Sequence, residues 1–109
     1  MFQDISEADW KIFRTLREVA LERFCERVLN EVKVLASASD GSFHERYLEL
    51  YRRIEHRDKA LARAFDDARR SRMVEQLVQM RILHLVDDEV LAKFSPRTRE
   101  LVAFLTDRK

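Results

Sequence analysis

Residues 6–37 form the longest uninterrupted helical pattern in the chain, and their sequence is SEADWKIFRTLREVALERFCERVLNEVKVLAS. The segment contains neither glycine nor proline, and apolar side chains recur in it every three or four residues, which is the period of an α-helix. These side chains are Phe13, Leu16, Ala20, Phe24, Val28, Val32 and Leu35. Ser6 stands at an N-cap position, with the acidic Asp9 three residues later. The pattern predicts one helix over about residues 7–37.

Residues that break helices are rare throughout the chain. The 109 residues include one glycine, Gly41, and one proline, Pro96. A protein built from β-strands needs turn residues about every 8–12 positions, and this chain cannot supply them. The composition therefore predicts an all-α fold, and the length predicts a single domain over residues 1–109.

A second helix is expected after the loop that contains the glycine. Ser42 and Glu45 have the spacing of a capping box, so the helix should begin near Phe43. Its heptad-like positions are Tyr47, Tyr51, Ile54, Asp58, Leu61, Phe65 and Ala68. Asp58 occupies an apolar position of this pattern, so either the helix breaks there or Asp58 is buried and paired with an arginine. The pattern also shifts near Ser71, which is a second candidate for the break.

The C-terminal part of the chain contains two further helix starts. Asp87 and Ser95 stand at N-cap positions, and the proline that follows Ser95 is typical of a first helical position. The chain as a whole therefore predicts a small helical bundle built on a long antiparallel α-hairpin. Residues 7–37 and 43–70 would form the hairpin, and short C-terminal helices would pack across it.

The first helix is too long for a globule made from this chain. A helix over residues 7–37 measures ~45 Å, whereas a compact globule of this length has a diameter of ~34 Å. The helix must therefore bend, protrude or continue its contacts on a second copy. This mismatch predicts a homodimer.

Five aromatic residues are candidates for an interaction surface. They are Trp10, Phe13, Phe43, Tyr47 and Tyr51. Aromatic side chains either pack in the core or serve as interface anchors, and both roles remain open here. We expect a non-catalytic helical protein–protein interaction module that is homodimeric and binds an unknown protein partner.

A basic segment over residues 63–81 supports a different hypothesis, a regulatory protein that associates with nucleic acid. Its basic side chains are Arg63, Arg69, Arg70, Arg72 and Arg81. However, Asp66 and Asp67 are close enough in sequence to pair with Arg69 and Arg70 on the same helix. We therefore expect this face to be neutralised within the chain and do not expect nucleic acid to bind.

A third hypothesis is a ligand-binding or enzymatic bundle with a pocket around Tyr47, Tyr51 and Asp58. The sequence contains no catalytic or metal-binding pattern in its support. None of the histidines follows a glutamate by three residues, the spacing used in metal sites of helical bundles. The lone Cys25 has the acidic neighbours Glu22 and Glu26, whereas reactive cysteines lie beside basic groups. We expect no enzyme activity, no cofactor and no metal ion.

The expected compartment follows from the cysteine count and the hydropathy pattern. Cys25 is the only cysteine, which agrees with a reducing environment. The N-terminal residues lack the apolar stretch of a signal peptide, and no apolar run approaches the ~18 residues of a membrane span. We expect a cytoplasmic protein that does not enter the membrane.

Overall fold

In a computed structural model, which describes residues 5–107, the chain is an all-α bundle. Its helices are α1 (Glu7–Ser37), α2 (Phe43–Phe65), α3 (Met73–Ile82), α4 (Asp88–Leu91) and α5 (Pro96–Asp107), and a 3-10 turn (Arg70–Arg72) precedes α3. No strand occurs within residues 5–107. The predicted fold class is confirmed, and so are the predicted bounds of the first helix.

Helices α1 and α2 form the predicted antiparallel hairpin. Halfway along it, Arg57 of α2 donates two hydrogen bonds to the Glu31 carboxylate of α1, at 2.8 and 2.6 Å. About a third of the way along α1, Arg17 donates to the backbone carbonyl oxygen of Phe65, the last residue of α2, at 2.7 Å. The earlier residue of α1 therefore contacts the later residue of α2, so the two helices run in opposite directions.

Helix starts occur where the sequence predicted them because side chains cap them. Ser6, Ser42, Asp87 and Ser95 each accept a hydrogen bond from the backbone N–H three residues later. The capping box at Ser42 is complete, since the Glu45 carboxylate also accepts from the Ser42 N–H at 3.1 Å. Local sequence therefore determined these positions, as expected for N-caps.

Helix α2 ends earlier than predicted, at Phe65 rather than near residue 70. Of the two candidate breaks, the one near Asp58 does not exist, since α2 runs through it without interruption. The chain leaves the helix at residues 66–72, close to the second candidate, Ser71.

Tertiary hydrogen bonds explain why α2 ends where no glycine or proline is present. The Phe65 carbonyl oxygen is held by Arg17, and the Asp66 carbonyl oxygen accepts from Gln76 Nε2 at 2.7 Å. Asp67 then adopts a left-handed backbone conformation, with φ of 54°, which aspartate tolerates better than most residues. The bonds from α1 and α3 satisfy carbonyl groups that a helix end would otherwise leave without a partner.

The core lies at one end of the molecule, where α1 begins and α2 ends. Its fully or nearly fully buried side chains include Phe13, Ala20, Phe24, Ala64, Phe65, Met73, Val74, Leu77, Met80, Phe94 and Val102. Helix α3 is the centre of this core, since α1, α2 and α5 all contact it. The C-terminal helices therefore pack at this end of the hairpin, which we call the globular end.

The rest of the hairpin projects from the globular end. No residue in the range 25–59 is buried, and we call this segment the arm. The molecule measures 53 × 24 × 21 Å, with a radius of gyration of 16.6 Å. A compact chain of this length would have a radius of gyration of ~13 Å. Of the three options for the long first helix, protrusion is the one observed within this chain.

A buried carboxylate fastens the last helix to the first. Asp9 of α1 accepts hydrogen bonds from the Ser95 N–H at 2.9 Å, the Ser95 hydroxyl at 2.6 Å and the Thr98 hydroxyl at 2.7 Å. It lies at the N-terminus of α5, where a negative charge is stabilised by the helix dipole. Burial alone would raise the pKa of Asp9, but these hydrogen bonds from Ser95 and Thr98 outweigh burial and lower it.

The position of the core can be tested with two identical substitutions. Val74→Ala removes two methyl groups from a fully buried side chain and should lower the free energy of unfolding by about 2 kcal/mol, including the cavity it leaves. Val34→Ala in the exposed part of the arm should change it by less than about 0.5 kcal/mol. Urea denaturation measures both, and equal losses would contradict a core confined to the globular end.

The role of Asp9 can be tested through pH. Asp9→Asn should lower the free energy of unfolding by about 1.5–3 kcal/mol at pH 7, because the hydrogen bonds to a charged acceptor are lost. The folded-state pKa of Asp9 is depressed, so its contribution is complete above the unfolded pKa of about 3.9 and disappears as the pH falls through the folded pKa. The difference in the free energy of unfolding between the two proteins should therefore shrink as the pH falls below about 4. A difference that is constant with pH would contradict this role for the carboxylate.

Candidate interaction surface

An exposed apolar stripe follows one side of α2 along the arm. Phe43, Tyr47, Tyr51 and Ile54 are spaced by four, four and three residues, which places them on the same helix face. They are 84%, 65%, 57% and 43% exposed, respectively. Single exposed apolar side chains are common on protein surfaces, but a row of four on one helix face is unusual.

Helix α1 adds a fifth side chain to this stripe. Leu29 of α1 is 68% exposed, and it lines the same cleft between the two helices as Ile54 of α2. The cleft has a volume of about 230 Å³. We call the five exposed side chains, Leu29, Phe43, Tyr47, Tyr51 and Ile54, the hairpin face.

The structure separates the five aromatic residues that the sequence had grouped together. Phe13 is fully buried and stacks on the half-buried Trp10, with ring centroids 5.6 Å apart. Both therefore belong to the core of the globular end, and Phe13 has no exposed surface to offer a partner. Phe43, Tyr47 and Tyr51 lie on the arm.

The expectation for Asp58 needs correction. Asp58 is exposed rather than buried, and it forms no ion pair with another residue in the range 5–107. The neighbouring Arg57, not Asp58, reaches across to α1. Asp58 does line the cleft between the helices, but Tyr47 and Tyr51 do not. Within residues 5–107, no single pocket is therefore lined by Tyr47, Tyr51 and Asp58 together.

An ion pair holds the two helices of the arm together beside the cleft. Arg57 donates from two nitrogens to the two carboxylate oxygens of Glu31, and Arg53 lies 3.7 Å from the same carboxylate. The hydrogen bonds from Arg57 lower the pKa of Glu31, and those to Glu31 raise the pKa of Arg57. This paired geometry is the strong form of a surface ion pair, and it fixes the position of α2 relative to α1 on the arm.

Most arginines of the basic segment are engaged by acidic groups within the chain. Arg69 pairs with Asp67, Arg70 with Glu7, Arg72 with Glu75 and Asp67, and Arg81 with Asp88. Arg63 is exposed on α2. The expectation that these groups pair along one helix was wrong. Asp67 and Arg69 lie in the loop after α2, and Arg70 pairs with a residue of α1. Hydrogen bonds from Arg69 lower the pKa of Asp67.

A second concavity of about 490 Å³ lies at the globular end, between α1 and the segment around α4. Its walls are Lys11, Ile12, Thr15, Leu16, Val19, Val90 and Lys93. Among its apolar side chains only Val19 is largely exposed, since Ile12, Leu16 and Val90 are already half-buried. It therefore offers less uncovered apolar surface than the hairpin face.

Sequence reasoning missed the cleft and the contribution of Leu29. The only signal in the sequence is that Cys25 and Leu29 directly follow two residues of the apolar stripe, Phe24 and Val28. That signal could not show that they face the exposed side of α2. Among residues 5–107, no group of three or more His, Cys, Asp or Glu side chains could hold a metal ion. None of the helices in that range is both long and apolar enough to cross a lipid bilayer.

Comparison of the chain with protein-family models, with curated proteins and with solved structures found no match.

The ion pair on the arm can be tested by hydrogen exchange. Glu31→Gln removes the charge that holds Arg57, and a surface ion pair contributes up to about 1 kcal/mol. Amides of α2 near Arg57 should therefore exchange about two- to fivefold faster. Glu49→Gln is the matched control, because Glu49 is exposed and makes no ion pair within the described part of the chain. Equal exchange rates in the two variants would contradict a holding role for this pair.

Proposed function

We propose that this chain is a non-catalytic helical protein–protein interaction module that works as a homodimer. The hairpin face of one copy packs against the same face of a second copy. The observation that carries this proposal is the arm, in which two helices project from the core with an exposed apolar face and no buried residue. Since Cys25 is the only cysteine, a reducing compartment such as the cytoplasm is the proposed location.

The first argument concerns the stability of the arm. Helices in proteins draw most of their stability from packing of an apolar face. Over residues 25–59 that packing is incomplete, because the two helices cover each other only partly. A second copy against the hairpin face would provide the missing burial for both arms at once.

The second argument concerns area. Phenylalanine and tyrosine each offer roughly 200 Å² for burial, so the exposed fractions of Phe43, Tyr47 and Tyr51 amount to about 400 Å². A standard interface covers about 800 Å² on each partner, of which roughly 60% is apolar. With Leu29 and Ile54 added, the hairpin face supplies the apolar share of one standard interface.

The third argument concerns charge. Residues 43–54 carry both signs, with acidic Glu45 and Glu49 and basic Arg46, Arg52 and Arg53. Such a mixed surface does not repel a second copy of itself. It also gives no steady attraction to a strongly charged partner such as nucleic acid, which requires a continuous basic face.

The fourth argument concerns shape. Within residues 5–107, neither α3 nor α5 covers the hairpin face, whose five side chains are each at least 43% exposed. Two hairpins related by a twofold axis would form a closed four-helix arrangement, and an interface of this kind uses the same patch on both copies. The interaction therefore ends at two copies and does not extend into a filament.

Static light scattering across a concentration series tests the proposal. The wild-type chain should change from a protomer mass of 13.1 kDa to twice that value. A range of about 1–100 μM covers affinities of roughly −8 to −5.5 kcal/mol. Tyr51→Glu places a charge in the middle of the hairpin face and should raise the dimer Kd at least about tenfold.

Val34→Glu is the matched control, because it introduces the same charge at another exposed apolar position of the arm. Val34 lies five residues after Leu29 and so about 140° around α1 from it, away from the hairpin face. Its dimer Kd should stay within about twofold of wild type. A wild-type chain that remains monomeric throughout the series would refute the homodimer, and equal losses in both variants would refute the assigned face.

A further inference from the structure

The cleft between α1 and α2 has space that the protomer does not fill. It is lined mainly by apolar side chains, among them Cys25, Val28, Leu29, Ile54 and Leu61, and its charged lining residues are Arg57 and Asp58. Its volume is about 230 Å³, and an apolar cavity of about 150 Å³ is already large enough to bind benzene. The volume of this open cleft is therefore sufficient for one aromatic ring.

The hairpin face and the cleft are on the same side of the arm. Leu29 and Ile54 belong to both, so the side that presents the aromatic side chains also presents a place for one of them. Such a surface is self-complementary. In a twofold dimer each copy would give a ring to the other and receive one in return.

The spacing along α2 selects which ring enters. Successive spacings of four, three and four residues separate Tyr47, Tyr51, Ile54 and Asp58. This series of spacings is the same when α2 is read in either direction. When two copies of α2 lie antiparallel about an axis between residues 52 and 53, Tyr51 meets the partner's Ile54 and Tyr47 meets the partner's Asp58. These are the pairings of a regular antiparallel heptad seam.

We infer that Tyr47 of each protomer inserts its ring into the cleft of the second copy and donates its phenolic hydrogen to the partner's Asp58. This inference rests on the proposed homodimer and adds its register. It explains why an acidic residue occupies an apolar position of the α2 pattern. It also explains why the ring one turn from Tyr51 is a tyrosine, since a phenol can satisfy a carboxylate that the dimer removes from water.

One other register would place Phe43 in the cleft, with the axis shifted by two residues. Phenylalanine has no donor, so the partner's Asp58 would be covered without a hydrogen bond, which is unfavourable. Phe43 also already has a partner within its own protomer, because the Arg46 guanidinium lies 4.8 Å from the centre of its ring. Both observations favour Tyr47.

Disulfide cross-linking tests the register. In a Cys25→Ala background, Tyr47→Cys with Asp58→Cys places two thiols about 16 Å apart along α2 of one protomer. This is beyond the ~7 Å Cα separation that a disulfide tolerates. A bond between the two positions therefore has to join two copies, and mild oxidation should give a covalent dimer.

The control is Phe43→Cys with Asp58→Cys in the same background. It moves one thiol by four residues, or about 6 Å along the helix, and should give at least about tenfold less covalent dimer. Peptide mapping identifies which positions are joined. Cross-linking of the control instead, or of neither protein at a concentration at which light scattering shows both variants to be dimeric, would overturn the register and leave the homodimer standing. A monomeric wild type would overturn both.

Tyr47→Phe tests the hydrogen bond separately from the register. It keeps the ring and removes only the hydroxyl, so the dimer Kd should rise at least about tenfold. A Kd equal to that of wild type would overturn the pairing of Tyr47 with the partner's Asp58.

Discussion

The unbroken length of α1 is the constraint on which the rest of the structure depends. The helix runs for 31 residues, and two of its arginines hold the ends of other helices. Arg17 binds the last carbonyl group of α2, and Arg27 donates to the carbonyl oxygens of Leu83 and His84, just after α3, at 2.7 and 2.8 Å. Since the carbonyl end of a helix attracts cations, α1 determines where both helices stop and so where the globular end is assembled.

The exposed surface of the arm follows from the same constraint. Helices α3 and α5 pack against the first part of the hairpin, because the chain after α2 returns to the region around Arg17. Within residues 5–107, no further helix covers the far part, where the Glu31–Arg57 pair and the half-buried apolar side chains hold α1 to α2. The stability of the molecule is therefore unevenly distributed, and the globular end contributes most of the free energy of unfolding. The proposal of a homodimer assigns the uncovered face to a second copy.

Much of the fold could be predicted because its signals are local. The caps at Ser6, Ser42, Asp87 and Ser95 depend on residues three positions apart, so the sequence alone locates them. The end of α2 could not be predicted, since Arg17 and Gln76 impose it from other helices. For the same reason Asp9 was interpreted only as part of a helix cap, although its hydrogen-bond partner Ser95 lies 86 residues further along the chain.

The candidate site was predicted in part. The four-residue spacing of Phe43, Tyr47 and Tyr51 places them on one face of α2, but periodicity does not show whether a face is covered. Trp10 and Phe13 are also aromatic, yet they belong to the core, because they lie at the globular end and not on the arm. Asp58 fits an apolar spacing yet is exposed, which periodicity alone could not distinguish from burial.

Hydrogen–deuterium exchange measured at low and high protein concentration tests the central claim most directly. If the hairpin face is covered by a second copy, amides in residues 43–58 should exchange more slowly as concentration rises, whereas those of α3 should not change. Exchange in residues 43–58 that is the same at both concentrations, or slowing confined to the globular end, would contradict the account.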